Sequence, residues 1–166
     1  MSTPDPDFVR RYLNLMKNTC RTYGNIVNAI STADATTWRD SGDGWTALEV
    51  LCHVADFDEF FYGRAVMMLE QDYPALPAYD HDALAIERAY NQQDKAVVYA
   101  RLVESRARFV ALFEDLTIEK WNRAGVHPER GHFTLLDALI QVGTHDVTHL
   151  EQITRIIAER KGPVSV

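Results

Sequence analysis

Cysteine is scarce: Cys20 and Cys52 are the only two in 166 residues. Two thiols form no disulfide framework and show no metal-type spacing with each other, so a reducing, cytoplasmic setting is expected. Basic charge is short as well. Seventeen Lys and Arg stand against 24 Asp and Glu, a formal net charge of −7, which would repel a phosphate backbone and argues against nucleic acid as a partner. The densest basic stretch, Arg101, Arg106 and Arg108, is diluted by Glu104 and reads as the solvated side of a helix. No apolar run approaches the roughly eighteen residues that span a bilayer. The opening "MSTPDPDFVRRYLNLM" lacks the positive start and apolar centre of a secretory signal, so no membrane partner is expected. Strand-like alternation, internal repeats, a phosphate-cradling glycine loop and a nucleophile elbow are all missing. Isolated glycines such as those in "SGDG" read as turn material.

Helical periodicity fills the chain instead. Hydrophobic residues make up 46% and charged residues 25%, a balance and length that suit one soluble domain over residues 1–166. Phe8, Tyr12, Leu15, Thr19, Tyr23, Ile26 and Ile30 form one stripe of a long first helix, with Asp7 as its N-cap after Pro4 and Pro6. A polar loop, "STADATTWRDSGDGW", should follow. Thr46 and Glu49 form a capping box that starts a second helix near Trp45, running to about Leu69. Two prolines in "QDYPALPAY" break it, and a short helix from about Asp82 to Asn91 comes next. A third long helix spans about Asp94 to Glu114. "LTIEKWNRAGVHPERGHF" reads as a long loop. Thr134 and Asp137 offer a capping-box-like start for a last helix that ends near Arg160, before Gly162 and Pro163. Four long helices without strands predict an all-α bundle.

In the last helix, "LIQVGTHDVTHLEQITRII" places His145 and His149 one turn apart on the face shared with Val142, Ile153 and Ile156. Both rings should therefore point inward. His53, in "EVLCHVADFDEFF", shares its face with Val50, Phe57 and Phe60 and should also point inward. A buried imidazole without a partner costs about 1–3 kcal/mol. Two solutions exist: three separately hydrogen-bonded core histidines, or one divalent metal with three protein ligands and an open position. Asp56 and Asp146 stand where they could accept from the rings and fix their orientation. Asp56, ahead of Glu59, is also the candidate general acid or base. His81 reads as a surface or capping residue, and His127 and His132 as residues of a solvated loop, with closure over a pocket as the alternative. Cys52 points about 100° away from His53 and reads as a small buried hydrophobe. Tyr12, Trp45 and Phe57 are candidate pocket walls.

Three segments together resemble the DinB/YfiT-like family: "WTALEVLCHVADFDEFF", "WNRAGVHPERGHFTLLDAL" and the closing "THDVTHLEQITRI". The resemblance covers nearly the whole chain, and its most specific element is the final H-D-x-x-H-L-x-Q-I block. It implies an up-down four-helix bundle carrying a divalent metal on His53, His145 and His149. It also implies a small-molecule substrate, with thiol S-transfer using a low-molecular-weight thiol preferred over metal-dependent hydrolysis. A homodimer is implied in the same way. Zinc, nickel and iron all accept three imidazoles, so the ligand set does not choose among them. A non-catalytic bundle stapled by its metal is the competing class.

Overall fold

The structure, a computed structural model, describes residues 4–41 and 43–160. Gly42, Gly162 and Pro163, which the sequence reading used as turn and helix-stop signals, lie outside the described residues. Six helices and one hairpin follow in chain order among those residues: α1 (Pro6–Ala29), α2 (Thr32–Thr37), α3 (Ala47–Glu70), α4 (His81–Glu87), α5 (Lys95–Glu114), β1 (Ala124–His127), β2 (Gly131–Thr134) and α6 (Leu135–Arg160). The expected four-helix bundle is present, built from α1, α3, α5 and α6.

Helix starts follow side-chain capping. Asp5, not Asp7, caps α1: its carboxylate accepts from the Asp7 N–H at 2.8 Å. The helix begins two residues earlier than expected because Pro6 occupies its first position, where a fixed φ suits the turn and no N–H is wanted. Asp7 instead pairs with Arg10 and Arg11 on the surface. Thr46 and Glu49 form the anticipated capping box of α3, and Thr134 and Asp137 exchange the equivalent bonds ahead of α6.

Three local expectations are corrected. The stretch before Trp45 contains α2, a helix of six residues nucleated by Ser31, whose hydroxyl accepts from Asp34 N–H. Six residues are too few to register as a period. The short helix stops at Glu87, because Ala89 turns into the left-handed region (φ 47°) and a separate 3₁₀ turn covers Tyr90–Gln92. The supposed loop before α6 holds an antiparallel hairpin, β1 with β2, registered Ala124 to Thr134 and His127 to Gly131. Backbone bonds Leu76 N–H to Val126 O (2.9 Å) and Val126 N–H to Pro74 O (2.8 Å) tie that hairpin to the chain leaving α3.

α3 packs on α5 and α6, and α1 packs on the same two. Consecutive long helices α1 and α3 thus lie across a diagonal, and α3 and α6 become neighbours although α5 comes between them in sequence. The buried line of α1 runs Leu13, Met16, Cys20, Tyr23 and Val27. Phe8, Tyr12, Leu15 and Ile26 are only half-buried, since the inward arc of α1 divides between two partner helices.

The largest correction concerns Arg106. Far from lying on a solvated face, it is 3% exposed and sits at the centre of the bundle. Its guanidinium bonds Asp58 Oδ1 at 2.7 Å, both carboxylate oxygens of Asp146 at 2.6 and 2.9 Å, and the Met16 carbonyl at 2.7 Å. Ser105 donates to Asp58 and Thr19 to Asp146. A charge stripped of water is tolerated only when paired and hydrogen-bonded in this way. One network therefore joins α1, α3, α5 and α6.

Candidate metal centre

Adjacent packing of α3 and α6 brings together residues ninety-two positions apart. His53 Nε2 and His145 Nε2 stand 3.0 Å from each other. One candidate ligand atom from each of His53, His145 and His149 lies within 4.8 Å of the other two. Ring centroids are 4.9, 4.7 and 4.3 Å apart for the pairs 53–145, 53–149 and 145–149. The inward orientation read from helix spacing is therefore what the fold delivers.

The surroundings hold these rings neutral. Burial, with the neighbouring imidazoles adding to it, lowers the His53 pKa to about 2. Burial likewise brings His145 well below its ordinary value and lowers His149. Neutral rings keep their lone pairs, which is the state a cation requires. Phe57 stacks on His145 at 4.4 Å with an interplanar angle of 9°, and Trp45 lies 4.8 Å from His53. Both aromatics wall the site as expected. Tyr12 does not reach it. Its ring instead lies under Gly143 of α6, where a Cβ would meet Tyr12 Cδ1 at 3.0 Å.

The carboxylates do other work than that assigned from sequence. Asp146 faces away from the rings into the Arg106 network. Asp56 is fully buried and pairs with Arg88 at 2.8 Å and Arg101 at 2.9 Å, with the Tyr90 hydroxyl donating to it. Neither carboxylate bonds a histidine, and Asp56 does not line the cavity in front of them. The orienting role belongs to Gln152. His149 Nδ1–H donates to Gln152 Oε1 at 2.8 Å, and the amide of Gln152 donates to Asp40 at 2.9 Å. Asp40 is fixed in turn by Arg155. With Nδ1 carrying the proton, the Nε2 lone pair of His149 is left for the cluster. Gln152 is the penultimate named residue of the H-D-x-x-H-L-x-Q-I block, so its signal was in the sequence without its role.

The histidines open onto a cavity of ≈ 470 Å³. His81, expected at the surface or as a cap, is exposed at the surface and also lines the cavity as the first residue of α4. Its ring lies 5.2 Å from that of His53 and 4.6 Å from Phe57, and burial lowers its pKa. Asp80 supplies the cap instead. His127 reaches the cavity from β1, whereas His132 turns outward to Tyr73. Arg64 also lines the cavity, and the sequence reading gave it no part. Glu59 is half-exposed and opposite Arg108 at 3.9 Å. Cys52 points away into the core, its thiol pushed up to about 12 by burial.

Comparison with known proteins identifies the family and the fold. The sequence pattern of the DinB superfamily matches residues 18–153. YfiT of Bacillus subtilis strain 168, provisionally named a metal-dependent hydrolase, is 31% identical over 122 residues, 73% of this chain and 67% of that protein. A relative from Oceanobacillus iheyensis with the same provisional name is 22% identical over 156 residues, covering 93% and 88% of the two chains. The solved structure of YfiT, described as a four-helix bundle of unusual topology, superposes with a TM-score of 0.87 at 25% identity, over 99% of this chain and 93% of that one. A mycothiol-dependent maleylpyruvate isomerase shares the fold at a TM-score of 0.71 and 15% identity, over 87% of this chain and 60% of that one.

Proposed function

This chain belongs to the DinB superfamily, and on that premise we propose that it is a metal-dependent enzyme acting on a small molecule through a divalent cation held by His53, His145 and His149. One observation carries the reading: three neutral imidazoles from two helices present ligand atoms within 4.8 Å of one another at the floor of an open cavity. A structural zinc usually takes four protein ligands, whereas three leave room for an exogenous one. Zinc, nickel or iron fits the donor set. When bound, such a cation supplies Lewis-acid activation of a nucleophile, a thiol or water.

The protein's own part is positioning. Gln152 sets the tautomer of His149, Phe57 clamps the plane of His145, and Trp45 shields His53. Thiol S-transfer is the preferred reaction. The carboxylate best placed in sequence to deprotonate a water, Asp56, is committed to Arg88, Arg101 and Tyr90, and a thiol surrenders its proton far more readily than water does. Hydrolysis is the second reading. It is favoured by His81, a neutral imidazole beside His53 that is free to act as a base, and by the names of the curated relatives.

Elemental analysis of untagged protein tests the metal: the expected result is one divalent ion per chain, lost in His53→Ala. A chain that retains no divalent metal overturns the proposal. Parallel screens then separate the two reactions. Metal-dependent consumption of a low-molecular-weight thiol with an electrophile supports transfer, and ester cleavage without thiol that falls in His81→Ala supports hydrolysis.

A further inference from the structure

Arg64 lies eleven residues after His53 on α3, close to three full turns, so the two share a helix face with Phe57 between them. All three line the same cavity. Arg64 is 4% exposed, yet among the described residues no carboxylate comes within ion-pairing distance of it. Arg106, the other fully buried arginine, has two. The Arg64 guanidinium makes one hydrogen bond, from Nη2 to the Pro77 carbonyl at 2.6 Å, and its buried Nε has no acceptor. Its central carbon lies 5.3 Å from the Phe61 ring centroid and 5.1 Å from that of Tyr79. Those rings and the Pro77 carbonyl hold the group in place without neutralising it. A buried cation with unused donors is costly unless an anion arrives.

We propose that Arg64 receives a substrate carboxylate, whose far end reaches the three-histidine cluster. The inference rests on the metal-dependent reading and adds a substrate class to it. Eleven residues at about 1.5 Å rise put the two Cα atoms about 16 Å apart, and helix side chains lean toward the N-terminus, so Arg64 leans back toward His53. The carboxylate therefore sits several bonds from the reacting atom. Asp82 and Glu129 also border the cavity and offset Arg64 and Arg130 there, which leaves no surplus positive charge for a dianion such as a phosphate monoester. A planar carboxylate matches the fork of a fixed guanidinium and brings a single negative charge.

The test uses a series of linear dicarboxylic acids, each converted at one end to a hydroxamate as a metal-binding group, and compares each with the matching neutral amide. Dissociation constants for the zinc-loaded protein are read by calorimetry. At the best chain length, the carboxylate is expected to bind at least about tenfold tighter than its amide, as one charge-assisted bond implies. Arg64→Met should erase that preference while leaving zinc content and amide affinity unchanged, which a merely structural tie to Pro77 would not do. Equal affinity for acid and amide at every chain length in the wild-type protein overturns the proposal and leaves the metal reading standing. That measurement needs no variant, so a misfolded Arg64→Met does not blunt it. Failure of the protein to hold any of zinc, nickel or iron is a separate result, and it removes the metal reading together with this one.

Discussion

Gln152 touches no substrate, yet its amide decides which nitrogen of His149 carries the proton. Replacing it with Leu keeps the bulk and removes the acceptor. Metal affinity should then fall about 10- to 100-fold, measured by competition with a chromophoric chelator, while the urea midpoint moves little. An unchanged affinity would mean that helix packing alone orients the ring. At this scale the sequence was legible wherever spacing speaks. His145 and His149 are one turn apart, and their apolar neighbours announce an inward face. It was silent where contacts cross between helices. Nothing local distinguishes Asp56, which binds arginines, from a carboxylate facing a cavity, and the burial of Arg64 depends on where α4 and its approach are laid.

The hairpin is the element with the largest reach. β1 bonds the segment around Pro74 to Leu76, and that segment continues through Pro77 and Tyr79 to His81, all of them near the cavity. A Cβ added at Gly125 would meet the Pro74 carbonyl oxygen at 2.7 Å and the Leu76 side chain at 3.1 Å. Gly125→Ala is therefore expected to destabilise the fold by about 1–3 kcal/mol through overpacking, seen as a lower urea midpoint, and to raise amide exchange at Leu76 and Val126. If exchange there is unchanged, the strand has absorbed the methyl group without yielding. Four-residue strands alternate too briefly to be told from loop, which is why this element escaped the sequence reading. The long helices did not escape it, because their caps and periods agree over twenty residues or more.

Across the whole molecule, stability depends on groups that dislike charge in the interior. Removing Arg106 would leave Asp58 and Asp146 buried without a counter-ion, so Arg106→Leu should cost about 3–5 kcal/mol in urea denaturation. The double replacement with Asp58→Asn should recover part of that loss. The histidines impose a pH dependence of definite sign. Their folded pKa values lie below the unfolded value of about 6.5, so below that pH the unfolded chain binds more protons. The stability they contribute is complete above about 6.5 and drains as pH falls, by about 1.4 kcal/mol per pH unit for each proton taken up. In metal-stripped protein the urea midpoint should drop from pH 7 to pH 5, less steeply in His53→Ala; equal slopes would place the proton uptake elsewhere. The bundle itself was legible from four amphipathic stretches. The diagonal placement of successive helices was not, since periodicity gives the inward face of a helix and not its neighbours.

α5 contributes no side chain to the cavity, yet its Arg101 grips the carboxylate three residues beyond His53 and its Arg106 grips the one next to His145. It works as a jig, a part outside the workpiece that fixes the spacing of two parts within it. Selectivity can then be re-engineered along the rim, at residues 77–82 and 127–130, without disturbing the cluster. Exchanging either arginine of α5 should shift that spacing from behind, in a variant whose cavity wall is chemically untouched.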